Sequence, residues 1–219
     1  MSWTYTTLKT AIQDYVESSE TTFTTNLPVF IKEAEERILK NTQLSVFRKN
    51  VTGTGTSGNT YLATPSDFLT SLSLAVLDSD SVYDFLMLKH VTFVREYIPT
   101  AATTGAPKYY AIFDENTFIL APTPSSNFTF ELHYISRPES ITASADGTSW
   151  MGTNAPDALF YGSLVEAATF LKFDLPQIQM FEARFVAAVG GVKGMLEEGI
   201  KNKDEFRYDS SIGAVPREQ

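Results

Sequence analysis

Residues 154–200 read NAPDALFYGSLVEAATFLKFDLPQIQMFEARFVAAVGGVKGMLEEGI and carry the strongest helical periodicity in the chain. Leu159, Phe160, Leu164, Ala167, Ala168 and Leu171 recur at three- and four-residue steps, which lays an apolar stripe along a helix ending near Lys172. Asn154 is placed to cap that helix. Pro156 lies in its first turn, where a missing N–H costs nothing, and Asp157 meets the positive end of the helix dipole. Phe173-Asp174-Leu175 supplies a turn. Pro176 then opens a return helix on which Ile178, Phe181, Phe185, Ala188, Val189, Val192 and Leu196 share one side. The two stripes predict a packed helical hairpin. Ala167, Ala168, Ala183, Ala187 and Ala188, with Gly162, Gly190 and Gly191, are small enough to let the backbones approach closely.

Upstream, Tyr5, Leu8, Ile12 and Tyr15 or Val16 define a first amphipathic helix over 4–17. SSETTFTTN (18–26) reads as a polar loop, and Asn26 as the cap of a second helix with Pro28 in its first turn. Phe30, Ile31, Ala34, Ile38 and Leu39 form its buried side to about Asn41. Glu33, Glu35, Glu36 and Arg37 read as a solvated face rather than an acid/base cluster. From Ser45 the period changes: SVFRKNVT (45–52) and NTYLATP (59–65) flank GTGTSG (53–58), the pattern of a hairpin with a flexible connection. Further strands are expected at Leu69–Leu77, Val82–Leu88, Lys108–Phe113, Thr117–Ala121 and Phe128–Ile135, separated by DSDS, DENT and PTPSSN turns. VTFVREYI (91–98) fits one or two helical turns with Phe93, Val94 and Tyr97 pointing inward. Beyond Ile200 the apolar period is lost and KNKDEFRYDSSIGAVPREQ reads as a polar tail.

The order of elements predicts an α+β protein: a helical bundle from the N- and C-terminal segments, an inserted antiparallel β-rich, sandwich-like domain, and an extended C-terminal tail. The expected divisions are N-terminal helices at 1–44, a β-rich domain at 45–137, a connecting loop at 138–153 anchored by Trp150, the helical hairpin at 154–201 and the tail at 202–219.

The 219-residue chain is 43% hydrophobic and 13% aromatic, enough for a substantial core. Its net charge of -9 argues against a surface that neutralises nucleic-acid phosphates. With no cysteine there is no disulfide, thiolate metal site or cysteine nucleophile. No secretory leader is read at the N-terminus and no apolar run reaches the ~18 residues of a membrane span, so a soluble, non-membrane protein is expected.

Candidate chemistry is sparse. GTGTSG lacks the Lys-Ser/Thr of a P-loop and leads into a strand. His90 and His133 are lone histidines among apolar residues, and Asp78 and Asp80 lack the downstream ligands of a calcium loop. Gly162-Ser163 lies inside a helix, not a nucleophile elbow, and Glu197 and Glu198 are adjacent and point apart. No catalytic residue, metal site or cofactor is assigned. Glycosidase chemistry needs only two carboxylates brought together by folding, and no pair is selected among the acids. A ligand-binding β-domain presenting aromatics such as Tyr109, Tyr110 and Tyr134 stands beside a structural reading.

FIKEAEERI, then YLATPSDFL, then APKYYAIFDENTFILAPTPSSNFTFELHYISRP, then a Trp and NAPDALFYGSLVEAATFLKFD, occur in an order that resembles the head-to-tail adaptor (connector) proteins of tailed bacteriophages. The resemblance spans nearly all of residues 4–200. Because some adaptors of short-tailed phages are associated with peptidoglycan hydrolysis, it also leaves a phage-associated peptidoglycan hydrolase using an acidic pair as an alternative. It implies a non-enzymatic virion protein of the head–tail neck, made in the host cytoplasm, that forms a homo-oligomeric ring of twelve copies. The ring would join the portal protein to the tail tube or nozzle protein and let genomic DNA through its channel without sequence-specific binding. The resemblance further implies a C-terminal extension reaching the portal, which makes Phe206, Arg207, Tyr208, Ile212 and Val215 the expected portal-binding residues.

Overall fold

A computed structural model describes residues 2–42, 44–77, 82–100 and 102–207, without the side chains of 44, 45 and 197–207. It divides into two units. A helical unit comprises Met1–Val46 with Glu139–Gln219, and a β-unit comprises Phe47–Pro138. The architecture is α+β, with the β-rich unit inserted between the helical segments.

In the helical unit, α1 (Tyr5–Tyr15) starts at a capping box in which the Thr4 and Thr7 side chains each accept the other's backbone N–H. Leu8 and Ile12 are buried on it; Val16 follows, while Tyr15 stays largely exposed. The second helix, α2 (Thr21–Asn41), begins a turn and a half earlier than the sequence reading places it. Asn26 is not its cap: the side chain donates to the Thr22 carbonyl within the helix. The early start follows from Phe23, which is fully buried and extends the stripe of Leu27, Ile31, Ala34 and Ile38 one turn upstream. The hydroxyls of Thr24 and Thr25 bond back to the Thr21 carbonyl, so these polar residues are satisfied inside a helix.

The 138–153 connection is partly structured. Ile141 is buried in it, Ser149 caps a short α4 (Trp150–Asn154), and Trp150 packs on the helical core. The next helix, α5 (Pro156–Phe170), has Ala155 and not Asn154 at its N-cap. Asn154 instead ends α4 and donates to the Trp150 carbonyl. Lys172 takes a left-handed φ of 58°. The Lys172 and Phe173 N–H groups then bond the Thr169 and Ala168 carbonyls at 3.2 and 2.9 Å, a Schellman closure that ends α5 and turns the chain. The last helix, α6 (Leu175–Arg207), returns along α5 and continues through positions 202–207, which the sequence reading assigns to the tail.

Phe181 and Phe185 are buried in the seam, with Ile178, Ala188, Val189 and Val192 packed against it. Close approach is confined to one of the glycines: a Cβ at Gly162 would come within 3.0 Å of Ala34 and the Phe185 ring. Gly190 and Gly191 have open space instead, and Ala183 and Ala187 face outward.

In the β-unit, a 3-10 turn (Leu44–Phe47) straddling the boundary leads into β1 (Arg48–Gly55). The other strands are β2 (Tyr61–Ala63), β3 (Phe68–Leu77), β4 (Tyr83–Phe85), β5 (Met87–Leu88), β6 (Thr104–Gly105), β7 (Tyr109–Asp114), β8 (Thr117–Ala121), β9 (Thr123–Pro124) and β10 (Phe128–Ser136), with α3 (Val91–Tyr97) after β5. Among the described residues, one four-stranded sheet has the order β1-β10-β3-β4 and another β2-β8-β7-β5; β6 and β9 make a short pair. Leu74, Val76, Phe130, Leu132 and Tyr134 of the first sheet and Tyr110, Phe118 and Leu120 of the second share one core, so the sheets form a sandwich.

Two strand expectations are corrected. β1 and β2 do not pair as a hairpin: β1 pairs with β10 and β2 with β8, so GTGTSG carries the chain from one sheet to the other. Gly55 is needed there because a Cβ would overlap the Phe130 ring. Val82–Leu88 is likewise not one strand. Buried Leu86 divides it into β4 on the first sheet and β5 on the second. On the outer face of the second sheet, Val94 of α3 packs with Ala111, Ile119 and Ala121. This is why the Phe118–Ala121 run is buried on both faces. Phe93 and Tyr97 do not point inward; they stack on each other and meet Tyr109 edge-on at the surface.

Candidate assembly surfaces

The charged turn of α2 is not a uniformly solvated face. Glu35 is 6% exposed, and its Oε1 accepts the Ile141 N–H at 2.9 Å, fastening the 139–149 connection to the helices. Burial pushes this carboxyl above the usual glutamate range, tempered by the Ile141 bond and the nearby Ser140 and Ser149 hydroxyls. Arg37 bonds Glu182 of α6 at 2.6 Å, lies 3.5 Å from Glu166 of α5, and stacks 4.3 Å over the Phe185 ring. One guanidinium thus ties three helices together. On the other side of the hairpin, Pro156, Asp157, Ala188, Gly191, Val192 and Met195 line a shallow groove of about 300 Å³.

In the β-unit, Asp67 accepts from Lys49 at 2.6 Å and from the Tyr134 hydroxyl at 2.8 Å. Burial alone would raise the Asp67 carboxyl, but the Lys49 and Tyr134 bonds outweigh it and hold the group below its ordinary value. Burial and the bond to Asp67 push the Tyr134 phenol up to about 12. Glu131 spans the first sheet, accepting from Asn50 of β1 at 2.7 Å and from Tyr83 of β4 at 3.0 Å.

The two rims of the sandwich differ. At one, Val82, Tyr83, Phe85, Met87 and Leu88 are all about half exposed or more. At the other, β1 and β2 diverge around an apolar cleft of about 280 Å³, lined by Val51, Leu62, Pro65, Leu74, Phe118 and Phe130. The buried Thr64 hydroxyl beside it has no hydrogen-bond partner among the described residues.

These surfaces belong to a chain that matches a known family. The model of the family described as SU10 adaptor protein matches residues 3–207. The chain belongs to that family. No curated protein matches it. As an SU10 adaptor protein the chain is a structural component of a phage virion, working through contacts with other virion components.

Most of the residues singled out from sequence are among the described ones. His90 caps α3, its Nδ1 accepting the Thr92 N–H, and His133 is part of β10. Among the described residues no three His, Asp or Glu side chains gather as metal ligands, and no helix is long and apolar enough to cross a membrane. Ser163 is fully buried and donates to the Leu159 carbonyl. Tyr110 and Tyr134 belong to the sandwich core, and Tyr109 packs under α3. Glu197 and Glu198 are on α6, as are Phe206 and Arg207 in its last turn. Asp78 and Asp80, together with Tyr208, Ile212, Val215 and the expected extended tail from 208 onward, lie outside the described residues. Sequence reasoning missed Glu35 and Arg37. Their partners are distant in the chain, so neighbouring letters carry no trace of them.

Proposed function

We propose that this SU10 adaptor protein is a head-to-tail adaptor: a ring of twelve copies that joins the portal protein to the tail tube or nozzle protein in the virion neck. The observation that carries this reading is the length of α6. Its 33 residues extend about 50 Å, whereas the 15 residues of α5 extend about 22 Å. The last described α6 side chain packed on the helical core is Val192. A helix end is only marginally stable in water unless something packs on it, so a helix about twice as long as its partner suits a surface supplied by another protein. Phe206, Arg207, Tyr208, Ile212 and Val215 form the portal grip, beginning on the last helical turn. Synthesis in the host cytoplasm precedes incorporation at the neck. The net charge of -9 suits a channel that genomic DNA passes without sequence-specific binding.

The test is removal of residues 203–219. The truncated protein keeps its thermal midpoint and loses binding to portal rings; unchanged affinity would assign docking to another surface. The adaptor works without catalysis, so purified protein leaves peptidoglycan turbidity unchanged. Clearing abolished by replacing one Asp or Glu would establish a hydrolase instead.

A further inference from the structure

The two rims of the β-sandwich are complementary, and we infer that they join one copy of the chain to the next, head to tail. This rests on the ring reading above and names the surface that would build the ring. In the first sheet every neighbouring pair is antiparallel, in the order β1-β10-β3-β4. Four alternating strands leave β1 and β4 running in opposite directions at opposite edges. A second copy placed beside the first in the same orientation therefore brings its β1 antiparallel to the first copy's β4, the better-bonded arrangement of strands. The sheet continues across the junction without reversal. Such a contact uses two different patches and repeats, which is the geometry of a ring.

Area and shape agree. The apolar rim from Val82 to Leu88 is comparable with the largest patch of an ordinary monomer, about 300–600 Å², and supplies much of the ~800 Å² that each partner gives to a stable interface. Leu88 lies opposite Tyr110, a core residue, so it marks the interior layer of the sandwich at this rim while remaining 52% exposed. At the opposite rim that same layer opens into the cleft of about 280 Å³ beside Val51. A void of about 150 Å³ already holds benzene, so a leucine side chain has room. Leu88 of one copy enters the cleft of the next and completes its apolar lining.

The experiment uses the full chain, alone and loaded on portal rings, with mass read by native mass spectrometry. Leu88→Glu spoils one rim and Val51→Trp blocks the other; both positions are partly exposed, and unchanged thermal midpoints establish that each variant folds. Each is expected to self-associate at least tenfold more weakly than wild type. Mixed together they retain a single intact junction and form discrete 1:1 pairs. If only Leu88→Glu loses assembly, a two-fold contact between β4 edges replaces the inference. If every variant assembles as wild type does, the rims are not the junction although the ring stands. If wild type neither assembles nor loads on portal, the ring reading fails with it.

Discussion

Arg37 and Arg48 show how differently the two units use the same side chain. Arg37 is held by Glu166, Glu182 and the Phe185 ring, so the helical unit spends its guanidinium on its own packing. Arg48 is exposed at the free edge of β1 and pairs with no described carboxylate. The same contrast holds for aromatics. Phe181 and Phe185 are buried in the helical seam, whereas Phe85 is 62% exposed at the sandwich rim. The seam of the helical unit, where Arg37, Phe181 and Phe185 are packed, has little bonding capacity left for neighbours. A unit with unpaired strand edges and uncovered side chains has bonding capacity left for neighbours.

The sharpest way to break this comparison is truncation. Phe181→Ala or Phe185→Ala is expected to cost about 3–5 kcal/mol, the usual penalty for a buried aromatic. Phe85→Ala in the monomer is expected to change stability by no more than about 0.5 kcal/mol. Chemical denaturation of the three variants checks both. Similar losses at Phe85 and Phe185 would mean that the rim belongs to the β-unit's own core.

Glycines give a second, smaller contrast. Gly55→Ala drives a methyl into the Phe130 ring, itself 2% exposed, so a loss of about 1–3 kcal/mol is expected from overpacking. Gly191→Ala meets open space in the interior of α6 and is expected to stabilise the helical unit by up to ~1 kcal/mol. Thermal midpoints moving the same way would contradict the assignment of one glycine to close approach and the other to an open groove.

Legibility divides along the same line. The helical hairpin was readable because Leu159, Leu164, Phe181 and Phe185 repeat at the helical period and their partners lie in the next helix. Thr21–Asn26 was not, because threonines outweigh one phenylalanine locally; the buried Phe23, four residues before Leu27, was the available clue. In the β-unit, alternation marks strands but not sheet membership. GTGTSG therefore reads as a hairpin when it crosses between sheets, and the break at Leu86 is invisible within the apolar run Phe85–Leu88. The candidate surfaces were the least legible. Arg37 acquires its role from residues 166 and 182, and the cleft beside Val51 exists only once two sheets diverge.

The smallest expected effect separates the units by the sign of their pH dependence. Glu35 has a carboxyl raised above 4.5, chiefly by burial. Such a group binds more protons when folded than when unfolded between those two values, so its contribution is fully present below about 4.5 and is lost as pH rises through the folded value. Asp67 is the reverse. Its carboxyl is held below 3.8 because the bonds from Lys49 and Tyr134 outweigh burial, so its contribution is present above 3.8 and is lost as pH falls through the folded value. Both tryptophans, Trp3 and Trp150, belong to the helical unit, so their fluorescence reports unfolding there, while amide exchange in β3 and β10 follows the β-unit. With Glu35→Gln, the tryptophan-detected midpoint should rise relative to wild type as pH is raised from 4.5 toward neutrality. With Asp67→Asn, the β-unit is expected to be weaker than wild type near neutrality, and the gap should close below pH 3.8. A Glu35→Gln difference that stayed constant across this range would show that Glu35 has the same proton affinity in the folded and unfolded chain. The Ile141 bond would then offset the whole effect of burial, and the opposition between the units would rest on packing alone.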